Sequence, residues 1–135
     1  MDITRVLLVE DDPQQRKLIL DSFSKILPVV EVVVLEKITD LDEMLQTTLF
    51  NYAFVDGDLY KYFEDIVRQR VWGEEIVARI KKAKPDIKVV AISTQSALND
   101  LMKRKGAIYV VPKIINDDSA VAEGFKKIIE GGAGQ

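Results

Sequence analysis

The stretch RVLLVEDDP, residues 5–13, decides the fold, because an apolar run is followed at once by three carboxylates and a proline. The run Arg5–Val9 is almost continuously apolar, which is typical of a strand that is covered on both faces of a sheet. Asp12 and Pro13 are the residue types of a helix N-cap and a first helical position. The stretch therefore predicts a strand that passes directly into a helix, with Glu10 and Asp11 at the junction.

The same alternation of strand and helix patterns continues along the chain. Four further short apolar runs follow, at Val29–Leu35, Tyr52–Val55, Ile87–Ile92 and Ala107–Val111. Five apolar stripes at helical spacing lie after the strands: Ile19, Phe23, Ile26 and Leu27; Leu41, Met44, Leu45 and Leu49; Ile76, Val77 and Ile80; Leu98, Leu101 and Met102; Val121, Phe125, Ile128 and Ile129. Gly106 has the residue type that ends the fourth helix. Five strand–helix units predict an α/β fold, a doubly wound five-stranded parallel sheet with helices on both faces.

Composition narrows the chemistry that the chain can perform. The 135 residues fit one domain, and cysteine and histidine are both absent. Their absence excludes Ser-His and Cys-His nucleophile pairs, phosphohistidine and ordinary zinc sites. The net charge of −3, without a basic run, disfavours binding of nucleic acid. No apolar stretch approaches the ~20 residues of a membrane helix, and the lack of cysteine fits a cytoplasmic location.

Polar side chains follow four of the predicted strands. Glu10 and Asp11 come after the first strand, Asp56 and Asp58 after the third, Ser93 after the fourth and Lys113 after the fifth. The carboxyl ends of parallel strands meet at one edge of a sheet, where ligands bind in open α/β folds. Crowded carboxylates favour a hard divalent cation, and we expect Mg²⁺. A carboxylate beside Mg²⁺, with hydroxyl and lysine donors nearby, suits nucleophilic attack on a phosphoryl group.

These motifs resemble the receiver domain of two-component response regulators, over Thr4 to about Glu130. The matching stretches are VLLVEDD (6–12), NYAFVD (51–56), GEEIVARIK (73–81), PDIKVVAIS (85–93) and GAIYVVPK (106–113). The resemblance implies a flavodoxin-like receiver fold with strand order 2-1-3-4-5. It also implies that Asp56 is the phosphoacceptor, that Ser93 is the switch hydroxyl and that Lys113 is the signature lysine. By the same match the Mg²⁺ site comprises Glu10, Asp11, Asp56 and Asp58, with Asp58 contributing its backbone carbonyl.

Four departures from the family pattern lie close to these motifs. The segment Gly57–Trp72 is about nine residues longer than expected, and the stretch from Ser93 to Gly106 is about two residues shorter. Pro112 precedes Lys113, whereas the family has its proline after the lysine. In the fifth strand, Val110 occupies the position of the family's aromatic switch residue, with Tyr109 facing the opposite side.

The long segment allows two interpretations. Leu59, Phe63, Ile66 and Val67 have helical spacing, so the segment could form an added helix that extends the core. Alternatively, a helix beginning at Asp58 overhangs the strand ends as a lid or docking surface and replaces the shortened fourth helix as the readout. Tyr60, Tyr62 and Trp72 are the anchors in that second interpretation.

The resemblance predicts a signalling switch that phosphorylates and dephosphorylates itself, rather than an enzyme with multiple turnovers. Its expected partners are a histidine kinase or phosphotransfer protein as donor and an output protein that the sequence does not name, and a homodimer is left open. Residues 1–130 would form the receiver, and residues 131–135 a flexible tail or the start of a linker. Two alternatives are a pseudo-receiver that only binds a partner and, with less support, a haloacid-dehalogenase-type phosphatase. The latter rests on FVDGDL (54–59), but its motif belongs on the first strand of its fold.

Overall fold

The structure, a computed structural model, describes residues 3–59, 71–114, 117 and 119–131. Its strands are β1 (Thr4–Val9), β2 (Val30–Val34), β3 (Tyr52–Asp56), β4 (Asp58–Leu59), β5 (Val71–Trp72), β6 (Lys88–Ile92) and β7 (Tyr109–Val110). Its α-helices are α1 (Pro13–Ile26), α2 (Leu41–Thr47), α3 (Gly73–Ala83), α4 (Ser96–Arg104) and α5 (Ala120–Gly131). In this described part, no helix has the length and apolar character needed to cross a membrane.

Five of the strands form one parallel sheet in the order β2-β1-β3-β6-β7. Counted along this sheet alone, the order is 2-1-3-4-5, as predicted from the sequence. The central strands are almost entirely buried, which explains why their sequences are apolar without alternation. Their carboxyl ends lie at one edge, so the residues that follow β1, β3, β6 and β7 are brought together there.

Helices cover both faces of the sheet and define two cores. On one face, α1 and α5 pack Phe23 and Phe125 against Phe54 of β3, with ring centroids 4.8–5.8 Å apart. On the other face, α2, α3 and α4 cover the alternate residues of the same strands. Tyr109 packs on the α1–α5 face and Val110 against the opposite core, which confirms that they face opposite sides.

The start of α1 and the end of α4 have the capping residues that the sequence predicted. Asp12 caps α1, since its Oδ1 accepts hydrogen bonds from the backbone N–H groups of Gln14 and Gln15 at 2.9 and 3.4 Å. Gly106 follows α4 with a φ of +124°, a conformation that few residues other than glycine adopt. α5 ends at Gly131, and residues 132–135 lie outside the described residues.

The prediction that Leu49 belongs to the apolar stripe of the second helix is wrong. α2 ends at Thr47 and Thr48 is extended, so Leu49 lies beyond the helix and 83% of its surface is exposed. Two consecutive threonines end the helix because β-branched residues lose side-chain freedom in a helix. The apolar stripe therefore stops at Leu45, which is buried.

The prediction of a helix beginning at Asp58 is also wrong. Asp58 and Leu59 form a short strand that pairs antiparallel with Val71 and Trp72, and Leu59 is fully buried in the core beneath α3. The two described ends of the long segment therefore lie side by side. The rest of the predicted stripe, Phe63, Ile66 and Val67, and the anchors Tyr60 and Tyr62 lie outside the described residues.

Candidate functional site

Three buried carboxylates meet at the carboxyl edge of the sheet. Glu10 and Asp11 follow β1 and Asp56 ends β3, and one carboxylate oxygen from each lies within 4.8 Å of the other two. Glu10, Asp11 and Asp56 are 1%, 5% and 7% exposed. Because β1 and β3 are hydrogen-bonded neighbours, with Val9 beside Val55, the sheet itself fixes this proximity.

Lys113 reaches into the same cluster from the segment after β7. Its Nζ lies 2.5 Å from Glu10 Oε1 and 3.3 Å from Asp56 Oδ1, and only 13% of its side chain is exposed. No cis peptide bond occurs among the described residues, so Lys113 makes both contacts with trans bonds on either side. The lysine that the sequence singled out thus lies beside the carboxylates.

The charges in this cluster are strongly coupled. Burial raises the pKa of Asp56 from an ordinary value of 3.8 to about 7, the negative charge of Glu10 adds to this rise, and Lys113 opposes it. Burial lowers the pKa of Lys113, but the carboxylates of Glu10 and Asp56 outweigh that effect and hold its pKa above the ordinary value. Lys113 is therefore charged at neutral pH, and its charge favours the ionised form of Asp56 against burial and against the charge of Glu10.

Among the described residues, both contacts of the Asp56 side chain use the same oxygen. Oδ1 accepts the backbone N–H of Gly57 at 2.9 Å and lies next to Lys113 Nζ. The other oxygen, Oδ2, is the atom of this carboxylate that a further group can approach.

Ser93 follows β6 at the same edge, one residue after Ile92, the residue that pairs with Asp56. It is 3% exposed, and its Oγ accepts the backbone N–H of Gln95 at 3.1 Å. A serine hydroxyl in that role retains its own proton to donate. The structure thus brings Ser93 to the edge that holds Glu10, Asp11, Asp56 and Lys113.

The backbone carbonyl of Asp58 does not take part in the β4–β5 pairing. The N–H of Gly73 donates to the carbonyl of Gly57 at 2.9 Å, so the next pair, Asp58 with Trp72, is a non-hydrogen-bonded pair of the antiparallel ladder. In such a pair both backbone groups point away from the partner strand. Two residues after Asp56, the Asp58 carbonyl therefore points away from β5.

These groups form an oxygen-rich donor set that suits a divalent cation. Three buried carboxylates within 4.8 Å of one another repel, and Mg²⁺ prefers oxygen ligands that include carboxylates. The sequence-predicted ligands Glu10, Asp11 and Asp56 therefore fit a magnesium ion chemically. The cluster also holds a lysine, so cation and lysine charge together can balance the acids.

Two glycines close to Asp56 are required by packing, which the sequence analysis did not predict. A Cβ on Gly73 would lie 2.1 Å from the Asp56 carbonyl oxygen, and one on Gly57 would lie 2.6 Å from Leu98 Cβ. The first residue of α3 and a side chain of α4 thus both press on the backbone of Asp56 and Gly57. A glycine at the start of a helix beside a predicted strand end is the only sequence signal for this.

We expect Gly73→Ala to lower the free energy of unfolding by about 2 kcal/mol, although alanine favours helices by about 1 kcal/mol over glycine. The added Cβ would force the Asp56 carbonyl to move, and backbone yields less readily than a flexible side chain. Urea denaturation measures the effect. Ser96→Ala, at the exposed first position of α4, is the matched control and should stay within about 0.5 kcal/mol of wild type. A stabilised Gly73→Ala variant would contradict the close packing.

Comparison with known proteins supports the fold, and it does so through solved structures alone. No family model matches the chain, and no curated protein is significantly similar to it in sequence. A CheY-like response regulator receiver domain protein from Methanospirillum hungatei is similar, with 22% identity, a TM-score of 0.66 and 96% of both chains covered.

Two further solved structures are similar. The response regulator TrrA from Thermotoga maritima, in complex with Mg²⁺ and BeF, has 21% identity and a TM-score of 0.69, with 93% of this chain and 98% of that one covered. A response regulator from Burkholderia pseudomallei, with a phosphorylated aspartic acid, a calcium ion and citrate, has 13% identity and a TM-score of 0.64, with 96% and 75% covered. The chain therefore has the fold of receiver domains, as the sequence predicted.

Proposed function

We propose that this chain is a phosphoacceptor receiver domain, in which Asp56 takes up a phosphoryl group and the phosphorylated form signals by a change of conformation. One observation carries the proposal. Buried Asp56 lies with Glu10 and Asp11 within 4.8 Å and with Lys113 Nζ at 3.3 Å, at the end of a central strand of a receiver fold. The solved neighbours with Mg²⁺–BeF and with a phosphorylated aspartic acid support this interpretation of the fold.

In the proposed reaction Asp56 Oδ2 attacks the phosphorus of a phosphohistidine on a kinase or phosphotransfer protein. A phosphorus–oxygen bond to Oδ2 forms, and the bond to the donor nitrogen breaks. Its electron pair remains on the imidazole, which takes up a proton. Oδ1 stays held by the Gly57 N–H, so the carboxylate is oriented before the attack.

Lys113 and Ser93 would act on the phosphoryl oxygens. Lys113, which is charged, would move from its contact with Asp56 towards the incoming group, and the Ser93 hydroxyl would donate its proton in a hydrogen bond. Glu10, Asp11, Asp56 and the Asp58 carbonyl would hold Mg²⁺. When bound, that ion neutralises charge on the transferred phosphoryl group.

The expected partners follow from this role. The phosphoryl donor would be a histidine kinase or a phosphotransfer protein, and the phosphorylated form would act on an output protein. The cytoplasmic location and the homodimer considered from the sequence stay predictions.

Incubation with acetyl phosphate and Mg²⁺, followed by intact-mass measurement, tests the proposal. The wild-type chain should gain one phosphoryl group, and Asp56→Asn should gain none. Asp12→Asn is the matched control, because Asp12 is a neighbouring carboxylate that caps α1 and asparagine caps equally well. This control should be phosphorylated like wild type. Phosphorylation of Asp56→Asn would exclude Asp56, and an unmodified wild-type chain would favour the pseudo-receiver.

A measurement of turnover distinguishes the proposed receiver from the phosphatase alternative. A receiver phosphorylates once per active site, whereas a phosphatase would release inorganic phosphate from an ester continuously. The motif on which that alternative rests lies on the third strand of the chain, in a fold that matches receivers.

A further inference from the structure

Asn99 is a buried polar residue in the middle of α4. It is 4% exposed and lies between apolar residues that face the core, Leu98 and Met102. Its Nδ2 donates a hydrogen bond to the backbone carbonyl of Ser93 at 3.1 Å, whereas no described residue donates to its Oδ1. An unsatisfied buried acceptor costs about 1–3 kcal/mol, and asparagine is a poor helix former. For stability alone, leucine would suit this position better.

The backbone carbonyl of Ser93 connects three segments of the chain by hydrogen bonds. It accepts the side-chain amide of Asn99 from α4 and also the backbone N–H of Lys113 at 3.3 Å, from the segment after β7. The same serine accepts the Gln95 N–H on its Oγ. One carbonyl therefore sets the positions of the hydroxyl and the lysine relative to each other.

α4 also contacts the phosphoacceptor side of the site. Leu98, the residue before Asn99, packs directly against Gly57, which follows Asp56 and leaves no space for a Cβ. Two consecutive residues of α4 thus touch the two loops that carry Asp56 and Ser93. A change in the position of either loop has to be accommodated by this helix.

We propose that Asn99 is a positioning residue for phosphoryl transfer, which holds the Ser93 carbonyl so that the Ser93 hydroxyl and Lys113 face Asp56 together. The inference rests on the proposed function, and it adds a residue that acts through Ser93 and Lys113 rather than on the phosphoryl group. It explains why a polar group is kept in α4 at a cost to stability. The Asn99 amide donates this hydrogen bond to Ser93, which a leucine at the same position would not do. Its Oδ1 then has no donor among the described residues.

The test is a double-mutant cycle between positions 99 and 93. Asn99→Leu should leave stability unchanged or raise it, because an apolar side chain of similar size removes the unsatisfied Oδ1 while the Ser93 carbonyl still accepts the Lys113 N–H. Its rate of phosphorylation by acetyl phosphate should fall about tenfold, the size of effect expected when one hydrogen bond in the site is lost. In a Ser93→Ala background, the same substitution should lower the rate by only about threefold, since the positioned hydroxyl is gone and only the effect through the Ser93 carbonyl on Lys113 remains.

Asn99→Ala serves as a second variant in case leucine does not fit beneath the helix, and it should show the same rate loss. Equal rate losses in the wild-type and Ser93→Ala backgrounds would show a general structural effect and overturn the inference. A wild-type rate in both Asn99 variants would overturn it as well, while the proposed function stands because the parent chain is phosphorylated. A parent chain that takes up no phosphoryl group overturns both.

Discussion

Lys113→Met should lower the free energy of unfolding by about 3 kcal/mol in metal-free buffer at pH 8. The lysine is the cation that balances two buried carboxylates, at 2.5 Å from Glu10 and 3.3 Å from Asp56. Removal of one partner from a buried ion pair typically costs about 3–5 kcal/mol, because the remaining charge stays buried without compensation. Urea denaturation in the presence of a chelator measures the loss.

Mg²⁺ should restore most of that stability, because a second cation then faces the same carboxylates. We therefore expect millimolar Mg²⁺ to stabilise Lys113→Met more than it stabilises the wild type. Lys103→Met, on the exposed side of α4, is the matched control and should change stability by less than about 0.5 kcal/mol with or without Mg²⁺. A loss of unfolding free energy as small as that of the control would contradict the balance of charge between Lys113 and the carboxylates. A loss that Mg²⁺ leaves unchanged would contradict it as well.

Asp56→Asn should become increasingly more stable than the wild type as the pH rises from about 4 to about 7 without metal. Burial and then the charge of Glu10 raise the pKa of Asp56 to about 7 in the folded chain, against an ordinary value of 3.8. Between these values the folded state binds a proton that the unfolded state has lost. The contribution of Asp56 to stability is therefore complete below pH 4 and is lost as the pH rises through 7.

A shift of roughly three pKa units corresponds to about 4 kcal/mol, which is the upper limit for this effect at pH 8. Asparagine does not titrate, so the difference between the two unfolding free energies follows the titration of Asp56 together with its coupling to Glu10 and Lys113. Asp12→Asn, which changes a half-buried capping carboxylate, is the control for replacing an acid by its amide near the same edge. A constant difference for Asp56→Asn would contradict the raised pKa. Mg²⁺ should reduce the difference, because a cation favours the ionised carboxylate.

Much of the fold was predictable because its signals are local. Buried parallel strands are continuously apolar, and RVLLV or KVVAI can be recognised without knowledge of any partner. The rule that ligands bind at the carboxyl ends of strands then placed Glu10, Asp11, Asp56, Ser93 and Lys113 at one edge, and the structure brings these five residues there.

The errors occurred where the outcome depends on a distant segment or on a helix end. Leu49 continues the stripe of α2, but the stripe does not show that the helix stops at Thr47. Leu59 has helical spacing with later residues, but the pairing of Asp58 and Leu59 with Val71 and Trp72 depends on where the chain returns. A local sequence pattern does not show where the chain comes back to pair with Asp58 and Leu59.

Asn99 was missed for a related reason. It lies three residues before Met102, so it belongs to the buried side of α4, and a polar residue there is the only signal in the sequence. Its partner is a backbone carbonyl, which leaves no trace in the amino-acid pattern. Only the docking of α4 beside Ser93 shows what the amide does.

Borohydride reduction of the chain after treatment with acetyl phosphate and Mg²⁺ tests the central claim most directly. The reagent reduces an acyl phosphate to an alcohol, so a phosphorylated aspartate is converted to homoserine, which peptide mass spectrometry locates by residue. We expect homoserine at position 56 and at no other aspartate. Homoserine at position 11 or 12, or none in a chain that is folded, would contradict phosphoryl transfer to Asp56.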